Sequence, residues 1–247
     1  MKRSEINLFI TQAIKFFEAN LFSLPPFAHW TPDMWNNIGE KSDQIRIRQL
    51  GWDVTDFHSG NFTAQGLILF TLRNGQPHNE NTGYAEKIMM VRERQITPLH
   101  RHYRKTEDII NRGSASTGDL FVQLYQADDN GGLADTPVSV FCDGVMRHIE
   151  PGGSITLRAG ESITLTPGIY HAFHAVNGDA LIGEVSSINN DAEDNHFYQP
   201  LGRFPQIVED EAPLRLLCTE YPDPKNPQDQ REVLNHAKVT RHQTHSF

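Results

Sequence analysis

The residues best equipped to do chemistry in this 247-residue chain sit in one short run, Thr97-Pro98-Leu99-His100-Arg101-His102-Tyr103-Arg104-Lys105-Thr106-Glu107. Two histidines at i and i+2 on a strand face the same way, so both imidazoles can reach one ion at about 2.0–2.1 Å. Glu107, five residues further on, can enter the same hollow from a neighbouring strand or a tight turn. A fourth ligand is expected from a distant strand of the opposite half of the fold. The run Gly160-Glu161-Ser162-Ile163-Thr164-Leu165-Thr166-Pro167-Gly168-Ile169-Tyr170-His171 offers it: a strand, a Pro-Gly turn, and a histidine entering the next strand. His100, His102, Glu107 and His171 are therefore the candidate metal ligands. Such a set leaves one or two positions open on a five- or six-coordinate ion, which marks a catalytic site rather than a structural one. Nitrogen and oxygen donors without a thiolate suit Mn2+, Fe2+, Co2+, Ni2+ or Zn2+. His174 and Asp108 are left out because strand alternation turns them away from His171 and Glu107, and Glu161 reads as a turn residue.

The elements that must position these residues are strands. From Gly51 to Ile188 the chain is a series of short β-branched and aromatic runs divided by Gly, Asn and Asp, among them GLILFTLRNG, KIMMVRER, LFVQLYQAD, VSVFCDG, SITLRAGESITLTPG and ALIGEVSSI. No helical period separates them, so a mainly β sandwich or barrel is expected. Residues 1–38 read as helical decoration. Ile6, Phe9, Ile10, Ala13, Ile14 and Phe17 recur at helical spacing from Ser4, taken as the N-cap, to Asn20, and Thr31-Pro32-Asp33 starts a short second helix. Residues 39–222 form the β-domain. Its last part, after Gly202, is expected to be a lid or packing segment, and 223–247 a loose polar tail.

Composition narrows the function. A formal net charge of -9 argues against nucleic acid or an anionic membrane as partner and leaves a small molecule. Cys142 and Cys218 are too few and too far apart for a disulfide framework or a thiolate zinc site. Polar residues interrupt the N-terminal apolar run, so a signal peptide is not expected, and no stretch has the length of a membrane span. A cytoplasmic protein is the expectation.

The two ligand-bearing segments, His-X-His with a following Glu and a Gly-bounded strand leading through Pro-Gly to one His, resemble the paired motifs of the cupins. The stretches LPPFAHWTPDMW, LGWDVTDFHSGNF, FTLRNG, TPLHRHYRKTEDIINRG, GESITLTPGIYHAF, GEVSSINND and GRFPQIVEDE carry the likeness further. From Met1 to about Pro222 the chain resembles the bacterial D-lyxose isomerase family of cupins. That resemblance implies a cupin-type barrel or jelly roll, a divalent metal, usually Mn2+, and a homodimer. The activity it implies is aldose–ketose interconversion, D-lyxose with D-xylulose or D-mannose with D-fructose.

The expected chemistry is metal-assisted proton transfer between C1 and C2 through an enediolate. Beyond the metal ligands, the resemblance suggests Lys87 and Glu184, each set among apolar strand residues. Lys87 either faces inward and serves the reaction or extends outward to water. Glu184 is either an ion-pair partner or, with its pKa raised by burial, the first choice to move the proton; one of the run Glu209-Asp210-Glu211 is the other candidate, and Lys87 would stabilise or protonate an oxygen. Arg203 is expected to grip sugar hydroxyls. Two other classes remain open at this level, a cupin Fe2+ oxygenase and a non-enzymatic sugar-binding cupin; dependence on oxygen separates the first, and absence of ketose formation the second.

Overall fold

A computed structural model describes residues 1–76, 82–191 and 193–223. The expected polar tail lies, but for Asp223, outside the described residues. Helix α1 spans Arg3–Ala19, α2 Pro32–Ile38 and α3 Asp43–Ile47, so helical structure runs nine residues beyond the expected boundary at 38. Thirteen strands follow among the described residues: β1 Gly51–Thr55, β2 Leu67–Arg73, β3 Tyr84–Val91, β4 Thr97–His102, β5 Glu107–Asn111, β6 Asp119–Gln126 and β7 Val138–Cys142. The rest are β8 Val145–Ile149, β9 Ser154–Leu157, β10 Ser162–Leu165, β11 Ile169–Val176, β12 Ala180–Ser187 and β13 Asn195–Phe197. The mainly β, cupin-type expectation holds, and every quoted apolar run falls on a strand or the greater part of one.

Two antiparallel sheets face one another. The larger has the order β1-β2-β3-β12-β5-β10-β7-β8, and the smaller β13-β4-β11-β6-β9. Leu69, Met89, Ile109, Val122, Leu124, Val140, Ile163 and Phe173 meet between them in one core. At the far end of the larger sheet the burial of β7 alternates, with Val138, Val140 and Cys142 inward and Ser139 and Phe141 outward. There Asp143 and Gly144, at φ 48° and 79°, close the β7–β8 hairpin with the two left-handed residues such a turn requires.

The near end does not alternate, because it is covered on both faces. Ile6, Ile10, Ala13 and Phe17, one stripe of α1, pack on Trp52, Val54, Ile68, Phe70, Ile88 and Met90, the outward residues of β1, β2 and β3. That explains why Leu67-Ile68-Leu69-Phe70 and Ile88-Met89-Met90-Val91 are unbroken apolar runs. Each large side chain so buried contributes about 1.5–3 kcal/mol relative to exposure.

The segment after Gly202 holds this helical layer in place. Met1 and Arg3 pair in parallel with Val208, Leu217 is buried beneath α1, and the Tyr221 ring stacks on Trp35 while its hydroxyl donates to the Leu50 carbonyl. Gly51 is required here: at φ 117° its Cα lies so near Tyr221 that an added Cβ would fall 2.0 Å from the hydroxyl oxygen. Ser4 does not cap α1 as expected. It lies inside the first turn, and its N–H and hydroxyl donate to Asp210, while the Glu5 carboxylate accepts from the Lys2 N–H at 2.7 Å. Thr31 does cap α2, with Pro32 at the first helical position.

Arg3 is the anchor of this layer. Its buried guanidinium lies 2.7 Å from Glu209 Oε1 and also meets Glu220. Those hydrogen bonds hold its pKa above the usual arginine value against the cost of burial. Both carboxylates keep some access to water, so Arg3→Ala is expected to cost about 2–4 kcal/mol, somewhat less than breaking a fully buried pair. A melting curve reads this as a fall of roughly 5–15 °C; an unchanged midpoint would show that α1 is held by its apolar stripe alone.

Candidate active site

The cluster is built by register. In the smaller sheet His171 of β11 pairs directly with His100 of β4, and His102 lies two residues further along β4 on the same face. The ligand nitrogens of the three buried histidines lie within 4.8 Å of one another. Glu107 begins β5 in the larger sheet and reaches them across the core, its Oε1 3.0 Å from His171 Nε2 and its Oε2 3.5 Å from His102 Nε2. This corrects the expected arrangement. His171 comes from the adjacent strand of the same sheet, and Glu107 is the residue contributed by the opposite half.

Each imidazole has its Nδ1 committed to a main-chain carbonyl: His100 to Pro98 at 2.8 Å, His102 to Asp194 at 3.1 Å and His171 to Ile169 at 3.2 Å. A carbonyl only accepts, so Nδ1 carries the proton and Nε2 presents a lone pair to the cluster. Burial, then the neighbouring His171 and His102, push the His100 pKa well below the usual imidazole value. It is therefore neutral around pH 7. His102 Nε2 and Glu107 Oε1 are buried and have no hydrogen-bond partner within the protein. Lone pairs from three nitrogens and a carboxylate converge with no proton to share, which is the donor arrangement a divalent cation fits.

Next to the histidines is a network of buried charge. Lys105 Nζ lies 2.6 Å from Glu107 Oε2 and 3.0 Å from Glu184 Oε1. Lys87 Nζ lies 3.2 Å from Glu184 Oε1, 2.6 Å from Asn189 Oδ1 and 3.9 Å from Asp191 Oδ1. Arg203 Nη2 donates to Asp53 Oδ2 at 2.5 Å and Asp191 Oδ2 at 2.8 Å. The carboxylates of Asp53, Glu107, Glu184 and Asp191 thus face the cations of Lys87, Lys105 and Arg203. The negative excess of one again favours a bound cation.

Lys87 faces inward, because residues 87, 89 and 91 of β3 share the core face and Lys87 pairs across the sheet with Glu184. Glu184 lines the same cavity, but its pKa is not raised as expected. Burial pushes it up, and the ammonium groups of Lys105 and Lys87 more than offset this, leaving it below the ordinary carboxylate value. Arg203 also lines the cavity. Glu209 does not belong here: it is exposed and bound to Arg3, while Asp210 holds Ser4 and Glu211 holds Asn7, so the whole acidic run fastens α1. His174, as expected, turns away and meets Phe121.

Sequence reasoning missed Lys105, Asp191 and Asp194. Lys105 lies in the turn between β4 and β5, where strand parity says nothing of direction. Asp194 holds that turn: Oδ1 accepts from the N–H groups of Tyr103 at 3.0 Å and Arg104 at 2.8 Å, and Oδ2 from that of Lys105 at 2.8 Å. Its own carbonyl orients His102. The contacts span some ninety residues, and the available signal, an acidic cluster at Asp191 to Asp194, does not identify a partner.

Known proteins give the cluster its context. The D-lyxose isomerase family model matches residues 1–221. A D-lyxose/D-mannose isomerase of Serratia proteamaculans is 49% identical over 226 residues, covering 90% of this chain and 98% of its own. One of Escherichia coli O157:H7 is 47% identical with the same coverage. Among solved structures, L-ribose isomerase of Cellulomonas parahominis with L-psicose superposes with a TM-score of 0.56 at 17% identity, over 84% of this chain and 98% of the other, a likeness of fold. A family match that takes in both the histidine cluster and the strap over α1 leaves one conclusion: the chain belongs to the D-lyxose isomerase family.

Proposed function

We propose that the protein interconverts D-lyxose with D-xylulose, or D-mannose with D-fructose, by proton transfer between C1 and C2 at a divalent metal site. It is an aldose–ketose sugar isomerase by family. The observation that carries the mechanism is the placing of Glu184, ionised by two lysines, in the same cavity as His100, His102, Glu107 and His171. These four are the metal ligands in this reading. A divalent cation held by them, Mn2+ by the family resemblance, would supply Lewis-acid stabilisation of the charge that develops in the reaction.

The protein's own groups do the rest. Glu184, held below the ordinary carboxylate pKa, is in its accepting form at neutral pH; it takes the proton from one of the two carbons and returns it to the other, while the hydroxyl proton passes from one oxygen to its neighbour. Lys87 and Lys105 fix its Oε1, and Lys87 is placed to donate a hydrogen bond to a sugar oxygen. Phe57, Leu67, Leu69, Met89 and Phe197 form the apolar wall of the cavity. The reading is completed by a homodimer working in the cytoplasm, where the two free cysteines, Cys142 and Cys218, stay reduced.

Chelation should abolish ketose formation and added Mn2+ should restore it. Single Ala substitutions at His100, His102, Glu107 and His171 should each lower metal content and turnover by at least about 100-fold; metal analysis showing full occupancy and rate for one variant would remove that residue from the ligand set. Glu184→Gln is expected to slow turnover by roughly 10²–10⁴-fold, whereas Glu209→Gln leaves it unchanged. The ketose formed in D2O should carry deuterium at C1, read by NMR far from equilibrium. Product without deuterium, together with normal turnover in Glu184→Gln, would favour direct hydride transfer.

A further inference from the structure

The turn that follows β1 is held in a strained backbone. Phe57 and His58 have φ of 51° and 60°, in the left-handed region that residues other than glycine visit one at a time. Such strain persists only where the surroundings over-determine it, and here they do. Thr55 Oγ1 accepts from the Phe57 N–H at 3.0 Å, and the buried Asp56 carboxylate accepts from the N–H groups of His58 and Gly60, each at 3.1 Å. The turn sends two neighbouring side chains to two parts of the site. The Phe57 ring walls the cavity and meets Phe197 edge-on, with centroids 5.5 Å apart. The His58 ring lies at the surface and reaches the segment that carries Arg203, its Nε2 2.7 Å from the Phe204 carbonyl oxygen. A carbonyl only accepts, so Nε2 is the donor here, whereas the three cavity histidines donate from Nδ1.

Residues 198–207 form neither helix nor strand, so the place of Arg203 rests on ties to other parts of the chain. At one end the Tyr198 N–H donates to the Leu99 carbonyl, and beyond the other the Val208 N–H donates to that of Met1. His58 adds a tie between them, on the residue after Arg203. Its ring also lies over Gly202, the residue before. A Cβ built on Gly202 would fall 2.1 Å from His58 Cε1 and Nδ1 and 2.3 Å from Cγ, and these are the three atoms nearest to it. The φ of Gly202 is not left-handed, so it is the imidazole rather than the backbone that requires glycine there.

We propose that His58 is a positioning residue for the site: its ring holds Gly202 and the Phe204 carbonyl on either side of Arg203, and so sets the guanidinium in the cavity against Asp53 and Asp191. This rests on the isomerase reading for the reaction it serves and on the geometry for the contacts. His58 meets no reacting group and acts through Arg203. The strained turn keeps the ring in reach of that segment while Phe57 stays in the wall.

The test compares Mn2+-loaded wild type with His58→Ala, His58→Gln, Gly202→Ala and the double variant His58→Ala/Gly202→Ala. Steady-state rates with D-lyxose and D-mannose, metal content, melting temperature and hydrogen exchange of the 198–206 amides are measured for each. His58→Ala should raise KM about 3–10-fold with kcat and metal content little changed, as loss of one hydrogen bond predicts, and should speed amide exchange around Arg203. His58→Gln, whose amide nitrogen can donate to the same carbonyl, should recover most of both. Gly202→Ala should displace the ring and reproduce His58→Ala, but add nothing in the double variant, where the clashing ring is gone. Unchanged KM and exchange in His58→Ala, a lowered melting temperature with KM unmoved, or additive effects in the double variant would overturn the proposal and leave the isomerase reading intact. A wild type that forms no ketose, with faster exchange in His58→Ala and Gly202→Ala and no further gain in the double variant, would overturn the isomerase reading and uphold the placing of Arg203 by His58.

Discussion

Charge inside an apolar barrel must be paired, and much of this protein is arranged around that requirement. Taking a carboxylate or an ammonium out of water costs several kcal/mol unless another charge and further hydrogen bonds replace the solvent. Here the replacement comes from the larger sheet, from the β4–β5 turn and from the segments on either side of β13. Lys105 lies between Glu107 and Glu184, Lys87 between Glu184 and Asp191, and Arg203 between Asp191 and Asp53. Each group therefore fixes its neighbours, and the network leaves one carboxylate more than it has cations.

The pairing also sets the chemistry. Burial alone would raise the pKa of Glu184; the two lysines more than offset it and leave the carboxylate below its ordinary value. For His100 burial and its imidazole neighbours act together and keep it neutral, the form in which an imidazole can bind a metal. Both groups are thus held without their titrating proton in one cavity, the carboxylate charged because cations lie nearest and the imidazole neutral because burial and other imidazoles surround it. The carbonyls of Pro98, Asp194 and Ile169 then choose which nitrogen of each ring faces the cluster.

A similar device works at a distance from the cavity. Arg3 and the Glu209–Glu211 run fasten α1 over β1, β2 and β3, so residues of chemical appearance serve the packing of the helical layer. With α1 in place β2 and β3 are buried on both faces, and Lys87 has only the cavity side on which to find a partner. The outer layer and the inner site are coupled through these strands.

The sequence by itself determined what depends on short-range order. Strand periodicity put His100 and His102 on one face, turned His174 and Asp108 away, and marked the apolar runs that became strands; the stripe of α1 and the Thr31-Pro32 start of α2 were equally legible. Tertiary contacts alone fixed which sheet each candidate ligand came from, that Glu209 belongs to the surface strap, and that Lys105, Asp191 and Asp194 line or support the cavity cluster. The reason is physical. The direction of a side chain within a strand follows from alternation over two residues, but the partner of a buried charge is set by contacts between residues some ninety apart in sequence, as between Lys105 and Asp194. The sign of a pKa shift likewise depends on which charges those contacts bring near, and local sequence holds no record of them.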